Sequence, residues 1–305
     1  MILASDLHIR STVPRARKDD FIQAMEKKLL FILDLAQHSP PLLCGGDLLD
    51  KARSDQELEQ WLIRLFREYQ VEIITTLGQH DLPEHSMAQY NRSSLAVLEA
   101  AGVVKVLTKD RGPIIHTNGW AYWGCAWSEV PDESMQDRKR RNMLLWHKMV
   151  TADPLWPTQE IVQPGRLLRE YPWYDLILTG DNHQTIVEKY GKNAVVPRGN
   201  DFKAVINPGS MMRSTAKQVD HQPCVFRYEE SHQFFEQIFL PIEQDILDLA
   251  QLQEEKARDS RIEAFVERLD TGVELGLDFE ANLKAHLEAN PVRESVNKMI
   301  WRCVG

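Results

Sequence analysis

Five short clusters of aspartate and histidine, each following a short apolar run, constrain the fold of this 305-residue chain more than any other feature. In chain order they are Asp6-Leu7-His8, Gly46-Asp47-Leu48-Leu49-Asp50, Gly78-Gln79-His80-Asp81, Trp146-His147 and Gly180-Asp181-Asn182-His183. Carboxylate and imidazole side chains are costly to bury unless they are paired or bound to a metal ion. Ligands of open α/β sheets collect in the loops at the carboxyl ends of the strands. The five clusters therefore predict that distant segments converge on one metal-binding site.

The spacing of apolar residues predicts an α/β fold. In the first half, predicted strands alternate with predicted helices: Met1–Ser5, Phe21–Gln37, Pro41–Cys44, Gln56–Tyr69, Val71–Leu77 and Ser94–Ala101. Alternation of this kind with short connections is typical of βαβ units in a mainly parallel sheet. The second part is predicted to consist of short strands: Pro113–His116, Trp120–Trp127, Asn142–Trp146, Leu176–Thr179, Thr185–Lys189, Ala204–Ile206, Val225–Glu229 and Phe234–Leu240. Ser128–Arg141 and Ala152–Gln163 are predicted to be long loops.

The sequence predicts two parts of unequal size. Residues 1–240 carry all five clusters and form the predicted catalytic domain. Residues 241–305 are charged and helical in pattern and form a separate C-terminal element, which is either a cap on the domain or a docking surface. Its predicted helices are Ile246–Ala257, Ile262–Leu269, Leu283–Ala289 and Val292–Val304.

The composition is that of a soluble globular protein, with 43% apolar and 27% charged residues. The formal net charge of −9 argues against a broad basic face for nucleic acid, although bound cations would reverse the sign inside a cleft of carboxylates. We find no pattern of a signal peptide or a membrane span, and the four cysteines lie far apart. We therefore expect a cytoplasmic protein that does not interact with membranes.

The order of the clusters resembles the calcineurin-like metallophosphoesterase superfamily, whose pattern is DxH, GDxxD, GNH[DE], a later histidine and GHxH. The chain is most similar to SbcD-type DNA repair exonucleases of phage or prophage kind. Three details carry the narrower resemblance: the third cluster continues as Leu82-Pro83-Glu84-His85-Ser86, Asn207-Pro208-Gly209-Ser210 follows a strand, and a charged helical tail comes last. The resemblance implies a four-layer α/β/β/α sandwich with two mixed sheets, and a two-metal site at one edge.

The resemblance also implies a role for each residue of the clusters. The first metal ion would be bound by Asp6, His8, the bridging Asp47 and His183, and the second by Asp47, Gln79, His147 and Asp181. His80 would stabilise or protonate the leaving oxygen, and Asp50 would orient His80 through its second ring nitrogen. Asp81 is expected to shape the loop.

Two positions depart from the family pattern, and both belong to the second metal. Gln79 replaces asparagine, and Asp181 replaces the first histidine of GHxH. Three oxygen donors and one nitrogen donor favour Mn²⁺, with Mg²⁺ or another divalent ion as the alternative, over zinc. A weakened second site, or an Asp181 that binds through water, remains open.

Candidate substrate contacts are His85, Asn207 and Ser210, although an ordinary loop role is open for His85. Trp123 and Trp127 are predicted to fill one face of a strand, with base stacking as the alternative. The favoured function is hydrolysis of DNA phosphodiesters, as an exonuclease or an endonuclease. The alternatives are hydrolysis of small nucleotides or phosphoproteins, and a partner-binding module with a degenerate second site. The resemblance further implies a homodimer and an SbcC-like coiled-coil ATPase partner.

Overall fold

The computed structural model describes residues 1–151, 162–190, 203–229 and 234–250, and in the tail 283–284, 286–288, 290 and 292–304. The chain separates into two units, Met1–Asp248 and Leu249–Gly305. The predicted helix Ile262–Leu269 and residues 152–161 of a predicted loop lie outside the described residues. The predicted division at residue 240 into a catalytic and a C-terminal part stays a prediction.

The first sheet contains the strands that carry the first three clusters. Its described strands are β1 (Ile2–Ala4), β2 (Leu42–Cys44), β3 (Ile73–Thr75), β4 (Lys105–Val106), β11 (Cys224–Glu229) and β12 (Phe234–Phe239). The order is β12-β11-β1-β2-β3-β4, with β1 to β4 parallel and β11 and β12 antiparallel to their neighbours. The carboxyl ends of β1, β2 and β3 therefore lie side by side at one edge.

The second sheet carries the last two clusters. Its described strands are β5 (Ile114–Ile115), β6 (Trp120–Cys125), β7 (Arg141–Trp146), β8 (Leu176–Thr179), β9 (Ile186–Tyr190) and β10 (Lys203–Asn207). They are ordered β5-β6-β7-β8-β10-β9, and β6, β7, β8 and β10 are parallel. The outer strands β5 and β9 are antiparallel to their neighbours, so this sheet is mixed as well.

Alternate residues of the strands face different apolar layers, as the period of two along a strand requires. Leu3 and Leu43 of the first sheet pack against Trp120 and Leu145 of the second, which forms the layer between the sheets. The outer face of the first sheet is covered by helices α1 (Phe21–His38), α2 (Gln56–Tyr69) and α3 (Ser94–Ala100). The outer face of the second is covered by α4 (Pro164–Glu170). The predicted four-layer α/β/β/α sandwich is therefore confirmed.

Local signals explain where the first three helices begin. The side chains of Asp20, Asp55 and Ser93 accept hydrogen bonds from backbone N–H groups in the first turns of α1, α2 and α3. Such caps satisfy donors that the helix leaves without a partner. In the tail, α5 (Glu294–Val304) agrees with the predicted last helix within two residues.

Several local predictions were wrong. Strand β4 and helix α4 had not been anticipated, because each is only two to seven residues long. The predicted helix from Ile246 cannot start there, since Leu247 pairs with Arg17 in an isolated antiparallel bridge. Among the described residues, no helix combines the length and the apolar character needed to span a bilayer.

Candidate metal centre

The loops that follow β1, β2 and β8 are locked together by their backbones. Asp6 N–H donates to the Gly46 carbonyl, and His8 N–H donates to the Asp47 carbonyl, both at 3.1 Å. Asp181 N–H, from the second sheet, donates to Asp6 Oδ1 at 3.0 Å. The edge where the parallel strands of both sheets end is thus one continuous structure, as the sequence predicts.

Three overlapping groups of side chains at this edge have the spacing of metal ligands. They are Asp6, His8 and His183; His8, Asp47 and His80; and Asp6, Asp47 and His147. Within each group the ligand atoms lie within 4.8 Å of one another. Because Asp47 and His8 each belong to two groups, the groups form one centre that is large enough for more than one ion.

The predicted first metal position is defined by two imidazoles and a carboxylate. His8 Nε2 and His183 Nε2 are 3.1 Å apart, and Asp6 Oδ1 lies 4.0 Å and 3.9 Å from them. Ligands that bind one ion at about 2.0–2.2 Å stand roughly 3–4 Å from each other. The three atoms therefore have the spacing of ligands to one common ion.

The predicted second position lies between Asp47 and the second sheet. Asp47 Oδ2 is 3.3 Å from His147 Nε2 and 3.8 Å from His8 Nε2, so this oxygen faces both positions. His147 Nδ1 donates to the Gly45 carbonyl at 2.8 Å. A carbonyl only accepts, and the bond therefore directs His147 Nε2 towards Asp47.

Gln79 and Asp181 form a pair at the second position. Gln79 Nε2 donates to Asp181 Oδ1 at 2.8 Å. A carboxylate only accepts, which fixes the orientation of the amide and turns Gln79 Oε1 away from Asp181. Among the described residues, Asp181 belongs to none of the three ligand groups. The structure thus supports a role for Asp181 in orienting Gln79, and the role of Asp181 as a ligand stays a prediction.

Buried polar atoms without partners provide a test of whether these residues fit a metal ion. Asp47 Oδ2, Gln79 Oε1 and His147 Nε2 are buried and have no hydrogen-bond partner within the described part of the chain. Such atoms carry a large desolvation cost. All three belong to the predicted second position, and all three are of the donor types that bind divalent cations. The residues fit a bound ion.

The electrostatics of the centre also favour cation binding. Burial lowers the pKa of His8, so its imidazole stays neutral and keeps a lone pair for a metal. Burial, the largest single influence on Asp47, would raise its pKa, but the imidazoles of His147, His8 and His80 together outweigh burial and lower the pKa of this carboxyl. Burial raises the pKa of Asp6, with Asp47 adding to the rise. A divalent cation would neutralise this closely spaced negative charge.

Unusual backbone conformations are concentrated at the same residues. Asp6, His8, Asp47 and Asp181 have φ angles of 49°, 45°, 50° and 74°. Non-glycine residues adopt positive φ in only a few per cent of cases, and such strain clusters at functional sites. Gly78 supplies the close approach that the site needs, since an added Cβ would collide with the Asp47 carboxylate.

His80 is oriented as predicted, but by a different group of Asp50. His80 Nδ1 donates to the backbone carbonyl of Asp50 at 2.8 Å. The Asp50 carboxylate instead accepts from Arg10 Nη1 at 2.8 Å. The hydrogen bond by which Asp50 orients His80 therefore comes from its backbone carbonyl, because Arg10 engages the side chain. His80 N–H also donates to Asp47 Oδ1 at 2.9 Å, which ties His80 to the centre.

Asn207 and Ser210 hold the loop that carries His183 by hydrogen bonds to its backbone. Asn207 is fully buried, and its Nδ2 donates to the Asn182 carbonyl at 2.7 Å. Ser210 N–H donates to the His183 carbonyl at 3.1 Å, and its hydroxyl donates to the Met212 carbonyl. Their predicted contact with substrate is not supported, because these polar groups are bonded within the protein and are buried.

Asp81 shapes the third loop, as expected. Its two carboxylate oxygens accept from the N–H groups of Gly78 and Leu49, at 3.0 Å and 3.2 Å. Burial, together with the charge of Asp47, raises the pKa of Asp81. Both carboxylate oxygens of Asp81 accept hydrogen bonds from backbone N–H groups, so Asp81 is not needed as a metal ligand.

His85 and Trp127 form an exposed aromatic pair near the third loop. Their ring centres are 6.0 Å apart, and Trp127 is 41% exposed. Trp127 N–H donates to the carbonyl of Leu77, directly before the loop that carries Gln79. The prediction that Trp127 fills a sheet face is wrong, because β6 ends at Cys125; Trp123 does pack on that face.

Two residues that were not predicted as site residues, Ser5 and Arg10, bind side chains of the centre. Ser5 Oγ donates to Asp6 Oδ2 at 2.5 Å, and Arg10 binds Asp50 as described above. Ser5 is adjacent to Asp6 and Arg10 lies two residues after His8, and this proximity to the first cluster is the sequence signal that could have revealed them.

Comparisons with known proteins add little to this geometry. No protein-family model and no curated protein matches the sequence. Among solved structures, the chain is similar to a metallophosphoesterase from Sphaerobacter thermophilus. The two chains are 15% identical, the match covers 89% of this chain and 99% of that chain, and the TM-score is 0.38. At this identity and score, the likeness supports no statement about activity, and the SbcD-like assignment stays a prediction.

Proposed function

We propose that this protein is a metal-dependent phosphodiesterase that hydrolyses DNA. The observation that carries the proposal is the convergence of Asp6, His8, Asp47, His147 and His183 from four strand ends, with ligand atoms within 4.8 Å inside each group. The buried, unpartnered atoms of Asp47, Gln79 and His147 support the same conclusion. Two divalent cations, Mn²⁺ or Mg²⁺ in preference to zinc, suit this set of donors.

Each residue has a distinct task in this proposal. Divalent cations bound here would supply an activated water and compensate the charge of the phosphate. Asp47 would serve both positions, which is supported by the distances of its Oδ2 from His8 and His147. The bond from His80 Nδ1 to the Asp50 carbonyl leaves His80 Nε2 as the ring atom that can act on a leaving oxygen.

DNA is the proposed substrate class because of the motif resemblance and the exposed Trp127. Exposed aromatic rings beside a catalytic centre can stack on the bases of single strands. Trp127 and the adjacent His85 provide such a surface next to the loop of Gln79 and His80. The net charge of −9 favours a second candidate, hydrolysis of small phosphoesters, for which no extended basic surface is required.

One set of assays separates the two candidates. The Mn²⁺-loaded protein is offered single-stranded DNA, double-stranded DNA, bis-p-nitrophenyl phosphate and a cyclic nucleotide, with an EDTA-treated sample as control. We expect Mn²⁺-dependent cleavage of DNA, and a higher KM for single strands in Trp127→Ala. Cleavage of the small esters alone would refute the nuclease, and no hydrolysis with any divalent metal would refute the enzyme.

We propose, as a separate point, that the C-terminal element docks a partner, either a second copy of the chain or an SbcC-like ATPase. The proposal rests on the sequence pattern of the tail alone. Light scattering of the purified chain tests the homodimer, and a monomer at all concentrations would exclude it.

A further inference from the structure

A groove of about 430 Å³ begins at His183, the most exposed of the predicted metal ligands. One side is formed by His183, Gln184 and the segment from Lys217 to Gln222, and the other by Gln237 and Phe239 of β12. Gln218 Nε2 lies 3.5 Å from His183 Nδ1, so the wall of the groove continues directly from the metal centre. The inference drawn from this groove rests on the proposed function.

The groove includes the last residues of β12. Phe235, Gln237 and Phe239 lie on the same face of the strand. Phe235 is buried between the sheets, whereas Phe239 is 55% exposed. Phe239 pairs with Cys224 at the start of β11 and lines the groove together with His183. An aromatic ring is thus left open to solvent beside the centre.

The lining combines this ring with amide side chains. Gln184, Gln222 and Gln237 contribute amide groups, of which Gln222 Nε2 also donates to the Leu240 carbonyl and Gln237 Nε2 to Cys224 Sγ. Among the lining residues, the positive charge of Lys217 is balanced by Asp220. Glutamine amides can read the hydrogen-bonding edges of bases, and a phenylalanine ring can stack on their faces. The volume is within the range of small-molecule sites, about 300–1,000 Å³. A phosphopeptide would need a more basic groove than this one.

We propose that this groove binds the nucleobase of the nucleotide whose phosphate lies at the metal centre. Phe239 stacks on the base, and the glutamines contact its edge. The protein would then recognise its substrates one nucleoside at a time, whether they are DNA ends or short nucleotides.

Calorimetry on the full-length, Mn²⁺-loaded protein tests the proposal with two ligands that differ only in the nucleoside. Thymidine 5′-monophosphate carries a base, and methyl phosphate does not. We expect Phe239→Ala to weaken binding of thymidine monophosphate by about tenfold and to leave binding of methyl phosphate unchanged. Phe239→Trp should retain the wild-type affinity. Phe234→Ala is the matched control, because Phe234 lies on the same strand, is 52% exposed and is not part of the groove.

Two results would overturn the subsite: equal affinity of the wild-type protein for both ligands, or the same loss of thymidine monophosphate binding in Phe234→Ala. A separate assay, Mn²⁺-dependent hydrolysis of methyl p-nitrophenyl phosphate, tests the proposed function. If this ester is hydrolysed but the base adds no affinity, the subsite fails and the phosphodiesterase stands. If the ester is not hydrolysed, the proposed function fails as well.

Discussion

The two predicted metal positions differ in donor chemistry and in exposure. At the first position, Asp6, His8 and His183 offer one oxygen and two nitrogens, and 43% of the His183 side chain is exposed. At the second, the side chains of Asp47 and His147 are fully buried, and the Gln79 amide is held by Asp181. The first position therefore faces incoming ligands, whereas the second is embedded between the sheets.

This difference indicates how much each position depends on the surrounding fold. At the second position, two predicted ligands are oriented by hydrogen bonds. His147 is held by the Gly45 carbonyl, and Gln79 is held by Asp181. The first position depends on a surface histidine whose loop is braced by Asn207 and Ser210. Substitutions can therefore separate the two positions, except at Asp47, which both share.

The largest effect is expected from Asp47→Asn, because its Oδ2 faces both positions. The substitution keeps the volume but removes the negative charge that two adjacent cations require. We expect the loss of both ions and of all turnover. Calorimetric titration with Mn²⁺ measures the stoichiometry, and Asp110→Asn, an exposed aspartate, is the control. If Asp47→Asn still binds two ions, the two positions do not share this residue.

A smaller effect is expected from His80→Ala, which leaves the ligands of both positions intact. We expect two bound ions and a kcat that falls by about 10²–10⁴-fold, the range of a lost general acid. Steady-state kinetics and Mn²⁺ titration measure the two quantities, with the exposed His38→Ala as control. An unchanged kcat would show that His80 is not a catalytic residue.

Part of the site and of the fold could be predicted from the sequence. Five predicted ligands come together in the structure because each follows an apolar run, and strand ends at one edge of a sheet meet in space: Asp6, His8, Asp47, His147 and His183. The alternation of strands and helices predicted an α/β fold with a mainly parallel sheet, and the motif resemblance implied the four layers. Both inferences depend on patterns that are local along the chain.

The contacts that could not be predicted depend on which side chains compete for one partner. Arg10 engages the Asp50 carboxylate, so that the backbone carbonyl of Asp50 is left to orient His80. Trp127 was expected in a sheet face, but the strand ends two residues earlier. Neither outcome has a local signal, because hydrogen-bond competition and strand ends are decided by the packed structure.

The two metal positions are separated most clearly by a comparison of Asp181→Ala with His183→Ala. Without Asp181 the Gln79 amide loses the acceptor that fixes its orientation, so we expect the second ion to bind about 10–100-fold more weakly. His183→Ala should weaken only the first ion. Electron paramagnetic resonance of free Mn²⁺ during a titration counts the ions, and each variant serves as the control for the other.

Competition with Zn²⁺ then distinguishes the donor sets. His183→Ala retains the oxygen-rich second position and should prefer Mn²⁺ over Zn²⁺ more strongly than Asp181→Ala, which retains the imidazoles of His8 and His183. Two tight Mn²⁺ ions in Asp181→Ala would mean that Asp181 neither binds the metal nor positions Gln79. In that case the departure from the family pattern at Asp181 would have no role in selecting the metal.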